Sequence, residues 1–120
     1  MDDLEIKSQR AGIVEGILLK IKAIRSERAV KYKDPEDGHA RLGKIWGALL
    51  EDHFDISLPP LPAELVMKMF AAQKLHRSCM DKQVDHLSDA MVYSQLALEQ
   101  EVLDALRSGK IESYLKKEKH

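Results

Sequence analysis

Residues 34–62, DPEDGHARLGKIWGALLEDHFDISLPPLP, carry a complete helix signal from start to stop. Asp34 suits the N-cap. Pro35 fits the first helical position, where its missing N–H is not needed, and Glu36 and Asp37 complement the positive end of the helix dipole. Leu42, Ile45, Trp46, Leu49 and Leu50 then recur at helical spacing, which predicts one apolar face and a largely buried Trp46. Pro59, Pro60 and Pro62 withhold backbone donors and end the helix before Ser57.

The same period continues on both sides. Upstream, Ile6, Ile13, Ile17 and Ile24 form one stripe with Val14, Leu18 and Ile21 beside it, predicting a helix from Asp3 to about Arg28. Gly12 and Gly16 lower helix propensity within it, and their expected use is the close approach of a neighbouring helix. Residues 29–34 break the pattern. Downstream, a third helix is expected from Pro62 to about Arg77, carrying Leu65, Val66, Met69 and Phe70. Polar residues 78–82 lead to a fourth, roughly Gln83 to Arg107, which Gly109 ends. A charged tail with Tyr114 and Leu115 follows. With no alternating strand pattern and mostly short connections, the expectation is an all-α fold. It would be a four-helix up-down bundle forming a single helical domain over residues 1–120, with a short charged C-terminal tail.

Composition agrees with a folded chain. The 120 residues include 19 Lys+Arg and 20 Asp+Glu, a formal charge of −1, with 44% hydrophobic residues. That apolar share excludes a disordered chain, and the single Cys excludes a disulfide framework. No apolar run is long enough to cross a membrane, and the first thirty residues carry too many charges for a secretory signal. The expected compartment is the cytoplasm, the host's if the chain is phage-encoded. No membrane partner is expected, and the near-zero net charge argues against a nucleic-acid partner.

Charge is distributed unevenly. Residues 20–33 carry Lys20, Lys22, Arg25, Arg28, Lys31 and Lys33 against Glu27, while residues 85–106 carry Asp85, Asp89, Glu99, Glu101 and Asp104 with no Lys or Arg. An up-down bundle would bring the 1–2 and 3–4 connections to the same end. At 100° per residue, Asp85 and Asp89 fall on the stripe of Val92, Leu96 and Leu103 within about 60°. Lys74 and Arg77 share a face with Val66 and Phe70 within about 80°. Two acids and two bases thus point inward from adjacent helices. They can form a structural salt-bridge network closing the bundle's end, or a phosphate site in which the carboxylates hold Mg²⁺ and the bases meet phosphate oxygens. A zinc set of His76, Cys79, Asp85, His86 and Asp89 matches no closed structural spacing.

Tyr32-Lys33-Asp34-Pro35, Ile45-Trp46, Lys74-Leu75-His76-Arg77 and the run from Asp85 through Asp89 to Tyr93 occur in a recognisable order. In this the chain resembles small all-helical phage and prophage proteins, a family classed mainly as of no known function. Their pattern is a Tyr-Gly-Asp-Pro turn, a Trp-bearing helix, Lys-x-x-Arg and Asp-x-x-x-Asp-x-x-Gly-Tyr. Lys33 and Val92 stand where that pattern has glycine. The family in turn looks distantly like the MazG-type all-α nucleoside triphosphate pyrophosphohydrolases, whose four-acid Mg²⁺ site begins with Glu-x-x-Glu. Helix two here has no Glu-x-x-Glu, so the resemblance implies the fold more strongly than the reaction.

The functional expectation is a nucleotide or related phosphate ligand, with Mg²⁺-dependent hydrolysis as its extension. Asp85 and Asp89 would hold Mg²⁺, Lys74 and Arg77 would bind phosphate, and Tyr32, Asp34 and Tyr93 would orient the ligand. No catalytic residue is assigned. The alternative is a non-catalytic interaction protein that binds or blocks a host protein, with the charged network purely structural. The broad apolar edges of helix one suggest a homodimer.

Overall fold

The computed structural model describes residues 2–31 and 34–116, with side chains described at 2–27 and 34–116. The fold is all-α: four long helices and one short one, with no strand among the described residues. They are α1 (Asp3–Lys31), α2 (Pro35–Phe54), α3 (Ala63–Met80), α4 (Val84–Arg107) and α5 (Ile111–Leu115). The chain divides into two compact units, residues 1–33 and residues 34–120.

The first unit is α1 alone. Asp2 caps it, its Oδ1 accepting from the Glu5 N–H at 2.8 Å, and Lys7 pairs with Asp3 at 3.1 Å. The helix continues to Lys31, past the end expected near Arg28. A β-carbon at Gly12 or Gly16 would meet no atom within 4 Å, so the close approach expected there is not seen among the described residues.

In the second unit α2 starts as its sequence dictates. Asp34 accepts from the Glu36 N–H at 3.0 Å and Pro35 opens the helix. Its inward face differs from the expected one. Ile45 and Leu49 stay 57% and 61% exposed, while Gly43 and Gly47 are buried and Leu42, Trp46 and Leu50 are partly buried. The cause is the proline segment, which folds back along α2. The Leu61 N–H donates to the Gly43 carbonyl at 3.1 Å, and the Leu58 N–H donates to Glu51 Oε1 at 2.6 Å. A β-carbon at Gly43 would overlap the Leu61 carbonyl oxygen. Docking a backbone on the two glycines turns α2 so that Ile45 and Leu49 face outward.

Because the connection returns to Gly43, α3 begins beside the middle of α2. Phe70, two turns into α3, then meets both His39 and Trp46, with ring centroids 5.8 and 5.5 Å away. His39 and Trp46 flank Gly43 in sequence, so α3 stays beside the same stretch of α2 that receives Leu61. It runs antiparallel to α4: Lys68 reaches Glu101, Phe70 reaches Tyr93, and Lys74 reaches Asp89. Met67, Leu96 and Ala97 form the core between them, with Ala63, Val92 and Tyr93 packed against it. Val66 and Met67 supply α3's buried side, whereas Leu65 and Met69 remain exposed.

Gly109 ends α4 as expected. Its φ of 71° lies in the left-handed region, the Lys110 N–H reaches the Ala105 carbonyl at 2.8 Å, and the Gly109 N–H reaches Leu106. The tail then forms α5, whose Tyr114 hydroxyl donates to Glu101 at 2.7 Å.

Candidate functional site

The α3–α4 hairpin brings together part of the expected constellation. Lys74 and Phe70 lie one turn apart on α3, and Asp89 and Tyr93 one turn apart on α4, so the two pairs face each other. Lys74 Nζ is 3.5 Å from Asp89 Oδ2, with 18% of the Lys74 side chain and 50% of the Asp89 side chain exposed. Next to this pair, Phe70 and Tyr93 stack at 5.1 Å and 18°. His39 stands edge-on to both rings, and Trp46 tilts against Phe70. Trp46 is thus partly buried in an aromatic group rather than fully enclosed. His39 Nδ1 lies 2.6 Å from the Pro35 carbonyl. A carbonyl only accepts, so Nδ1 carries the proton and Nε2 is the acceptor in the neutral ring.

Arg77 and Asp85 are exposed, and among the described residues no ion pair joins Arg77 to Asp85 or Asp89. Asp85 lies in the first turn of α4, where its charge complements the dipole. The turn itself is spanned by His86 and Asp81, 3.7 Å apart. The closed four-residue network therefore reduces to one observed pair, Lys74–Asp89, with Arg77 and Asp85 near the hairpin turn.

Asp34 belongs elsewhere. It caps α2, whose first turn is bound to the far end of α4: Glu36 takes two hydrogen bonds from Arg107, at 2.6 and 3.0 Å, and one from Gln100 at 2.5 Å. Arg107 lies 22 residues beyond Asp85, about 33 Å along the helix. The start of α2 and the α3–α4 turn are thus at opposite ends, where an up-down order would place them together. Tyr32 lies outside the described residues.

Two polar clusters carry signals that the sequence reading missed. Gln100, only 5% exposed, donates to Glu36 and to Asp104, so a polar residue on the inner side of α4 marks the α2 junction. Arg107 and then Gln100 hold the Glu36 carboxyl below the usual carboxylate range. In the second cluster, Lys68 pairs with Glu64 at 3.2 Å and Glu101 at 2.6 Å. Lys68, Tyr114 and Glu64 together lower the Glu101 carboxyl to about 2, and donation to Glu101 raises the Tyr114 phenol. Some of the acidity of α4 thus has its partner on α3.

Among the described residues no three His, Cys, Asp or Glu groups come together as a metal cluster, which removes the zinc set. Asp85 and Asp89, at i and i+4 on one helix face, offer two carboxylates. That donor set suits Mg²⁺, which takes one or two carboxylates and fills its octahedron with water and phosphate oxygens. No helix is long and apolar enough to cross a membrane among the described residues.

A family model described as a domain of unknown function, DUF6378, matches residues 17–102, which include α2, α3 and all but the last turns of α4. No curated protein and no solved structure matches the chain.

Proposed function

The chain belongs to the DUF6378 domain family, and we propose that its α3–α4 hairpin binds a nucleotide or related phosphate together with Mg²⁺. The observation that supports this reading is Lys74. Its side chain is largely covered and places the ammonium group beside Asp89, one turn from the stacked Phe70–Tyr93 pair. A lysine so placed offers a point charge to a phosphate oxygen, and the rings beside it offer flat apolar surface to a base. Arg77, one turn further along α3, would reach a second phosphate group. Asp85 and Asp89 would hold Mg²⁺, which supplies charge neutralisation between the carboxylates and the phosphates when bound. Tyr93 would orient the ligand from the ring side.

The test is thermal unfolding with Mg²⁺ and a panel of nucleoside triphosphates. A ligand at a hundred times its dissociation constant stabilises the folded chain by about 2.7 kcal/mol. The expected result is stabilisation that needs Mg²⁺ and disappears in Lys74→Ala. No response to any of them in the wild type would overturn the reading. The same incubations, assayed for pyrophosphate, test the MazG-type hydrolysis that the resemblance implies.

Exposed Ile45 and Leu49 on α2 favour a second reading, a non-catalytic protein that docks a host protein on that helix. It predicts that Ile45→Asp abolishes partner capture while Lys74→Ala leaves it unchanged.

A further inference from the structure

Two claims meet on Lys74. Its ammonium nitrogen lies 3.5 Å from Asp89 Oδ2, and its side chain is only 18% exposed, so the stem lies against the hairpin while the head keeps its partner. The phosphate reading asks the same ammonium to meet a phosphate oxygen. It also asks the same carboxylate to meet Mg²⁺. A cation arriving at Asp89 meets a positive charge already there, and an anion arriving at Lys74 meets a negative one.

The charge balance decides how this conflict resolves. Asp85 and Asp89 on α4 are matched by Lys74 and Arg77 on α3, so the formal charges of the four side chains cancel. Mg²⁺ alone makes the group positive, and a phosphate dianion alone makes it equally negative. The two together return it to zero. The low exposure of Lys74 strengthens the effect at the Lys74–Asp89 pair, because a partly covered charge is screened less than an open one. Arg77 and Asp85 are exposed and contribute less. We propose that Lys74 and Asp89 exchange partners on binding, Lys74 passing to phosphate as Asp89 passes to Mg²⁺, so that each ion admits the other. This inference rests on the ligand reading and adds a rule of entry to it: the hairpin takes the metal–phosphate complex and disfavours free Mg²⁺ and free anion. The coupling is reciprocal, since both orders of binding close the same thermodynamic cycle.

Nuclear magnetic resonance titrations of the full chain measure that coupling. Mg²⁺ is added with and without inorganic phosphate, an anion that binds free Mg²⁺ only weakly, and the amide shifts of Asp85 and Asp89 report occupancy. In wild type, saturating phosphate should tighten Mg²⁺ by about fivefold or more, and Mg²⁺ should tighten phosphate by the same factor. Lys74→Met should bind Mg²⁺ alone more tightly than wild type does, because the competing ammonium is gone, and should lose most of the coupling. Arg77→Gln removes an equal charge that is not paired with Asp89, so its effect on Mg²⁺ alone should be the smaller. Independent binding of the two ions in wild type overturns the proposal, and that result needs no variant to fold. So does an Mg²⁺ affinity that Lys74→Met leaves unchanged, or that Arg77→Gln raises as much. If nucleotide with Mg²⁺ still stabilises wild type in thermal unfolding, only the exchange falls and the ligand reading stands. If it does not, the ligand reading has failed and the exchange with it.

Discussion

Lys74 and Asp89 are 3.5 Å apart, but the carboxylate keeps half of its surface in water. An exposed ion pair contributes about 0–1 kcal/mol, because solvent screens it and both side chains lose freedom. A fully buried pair behaves differently: removing one partner costs about 3–5 kcal/mol. Asp89→Asn should therefore lower stability by no more than about 1 kcal/mol. If Asp89 and Asp85 repel each other before a cation binds, the loss will be smaller still. The same substitution should abolish Mg²⁺-dependent stabilisation by nucleotide. Thermal melts of wild type and variant, with and without Mg²⁺ and ligand, measure both effects. A loss above about 3 kcal/mol would identify a structural pair and remove the ligand reading.

At the scale of elements, the helix ends were the most legible feature, because each rests on local chemistry. Asp34-Pro35 starts α2 and Gly109 ends α4, where a left-handed residue is needed to satisfy the last carbonyls. The inward face of α2 was not legible, since period alone cannot choose between Ile45-Leu49 and Gly43-Gly47 when the partner is a returning loop. Gly43 and Gly47, which carry no apolar signal, are the seat of the Leu61 backbone. Glycine-to-alanine changes at an open and at a crowded position of α2 should therefore differ in sign. Gly38→Ala has open space and should stabilise by up to about 1 kcal/mol through propensity. Gly43→Ala meets the Leu61 carbonyl, which cannot move without breaking its own segment's hydrogen bonds, and should destabilise by about 1–3 kcal/mol. Urea denaturation of the two variants against wild type checks both values. Equal effects would mean that the proline segment does not hold to α2.

For the molecule beyond α1, the question is what fastens α2 and α5 to the α3–α4 hairpin. Amphipathic angles placed Lys74 opposite Asp89, because both lie on stripes continuous with the core. Those angles could not place Asp34, since helix order in space depends on where the proline segment leads. Nor could they show Glu36–Arg107 or Lys68–Glu101–Tyr114, which join residues far apart in sequence across helix junctions. These clusters determine the acid limb of stability. The Glu36 and Glu101 carboxyls are both lowered in the folded chain, Glu101 to about 2 from 4.5. In that range the unfolded chain binds more protons than the folded one, so stability rises with pH. The contribution is fully present above about pH 4.5 and is lost as pH falls toward about 2. Urea midpoints should accordingly fall across that interval, and Glu101→Gln should flatten the fall because the variant has no proton to gain at that position. Tyr114→Phe removes one of the two leading causes of the Glu101 shift, so its profile should fall between the two. If Glu101→Gln follows the wild-type slope throughout, the α3–α4–α5 cluster does not carry the acid sensitivity, and the Glu36 junction between α2 and α4 becomes the group to titrate.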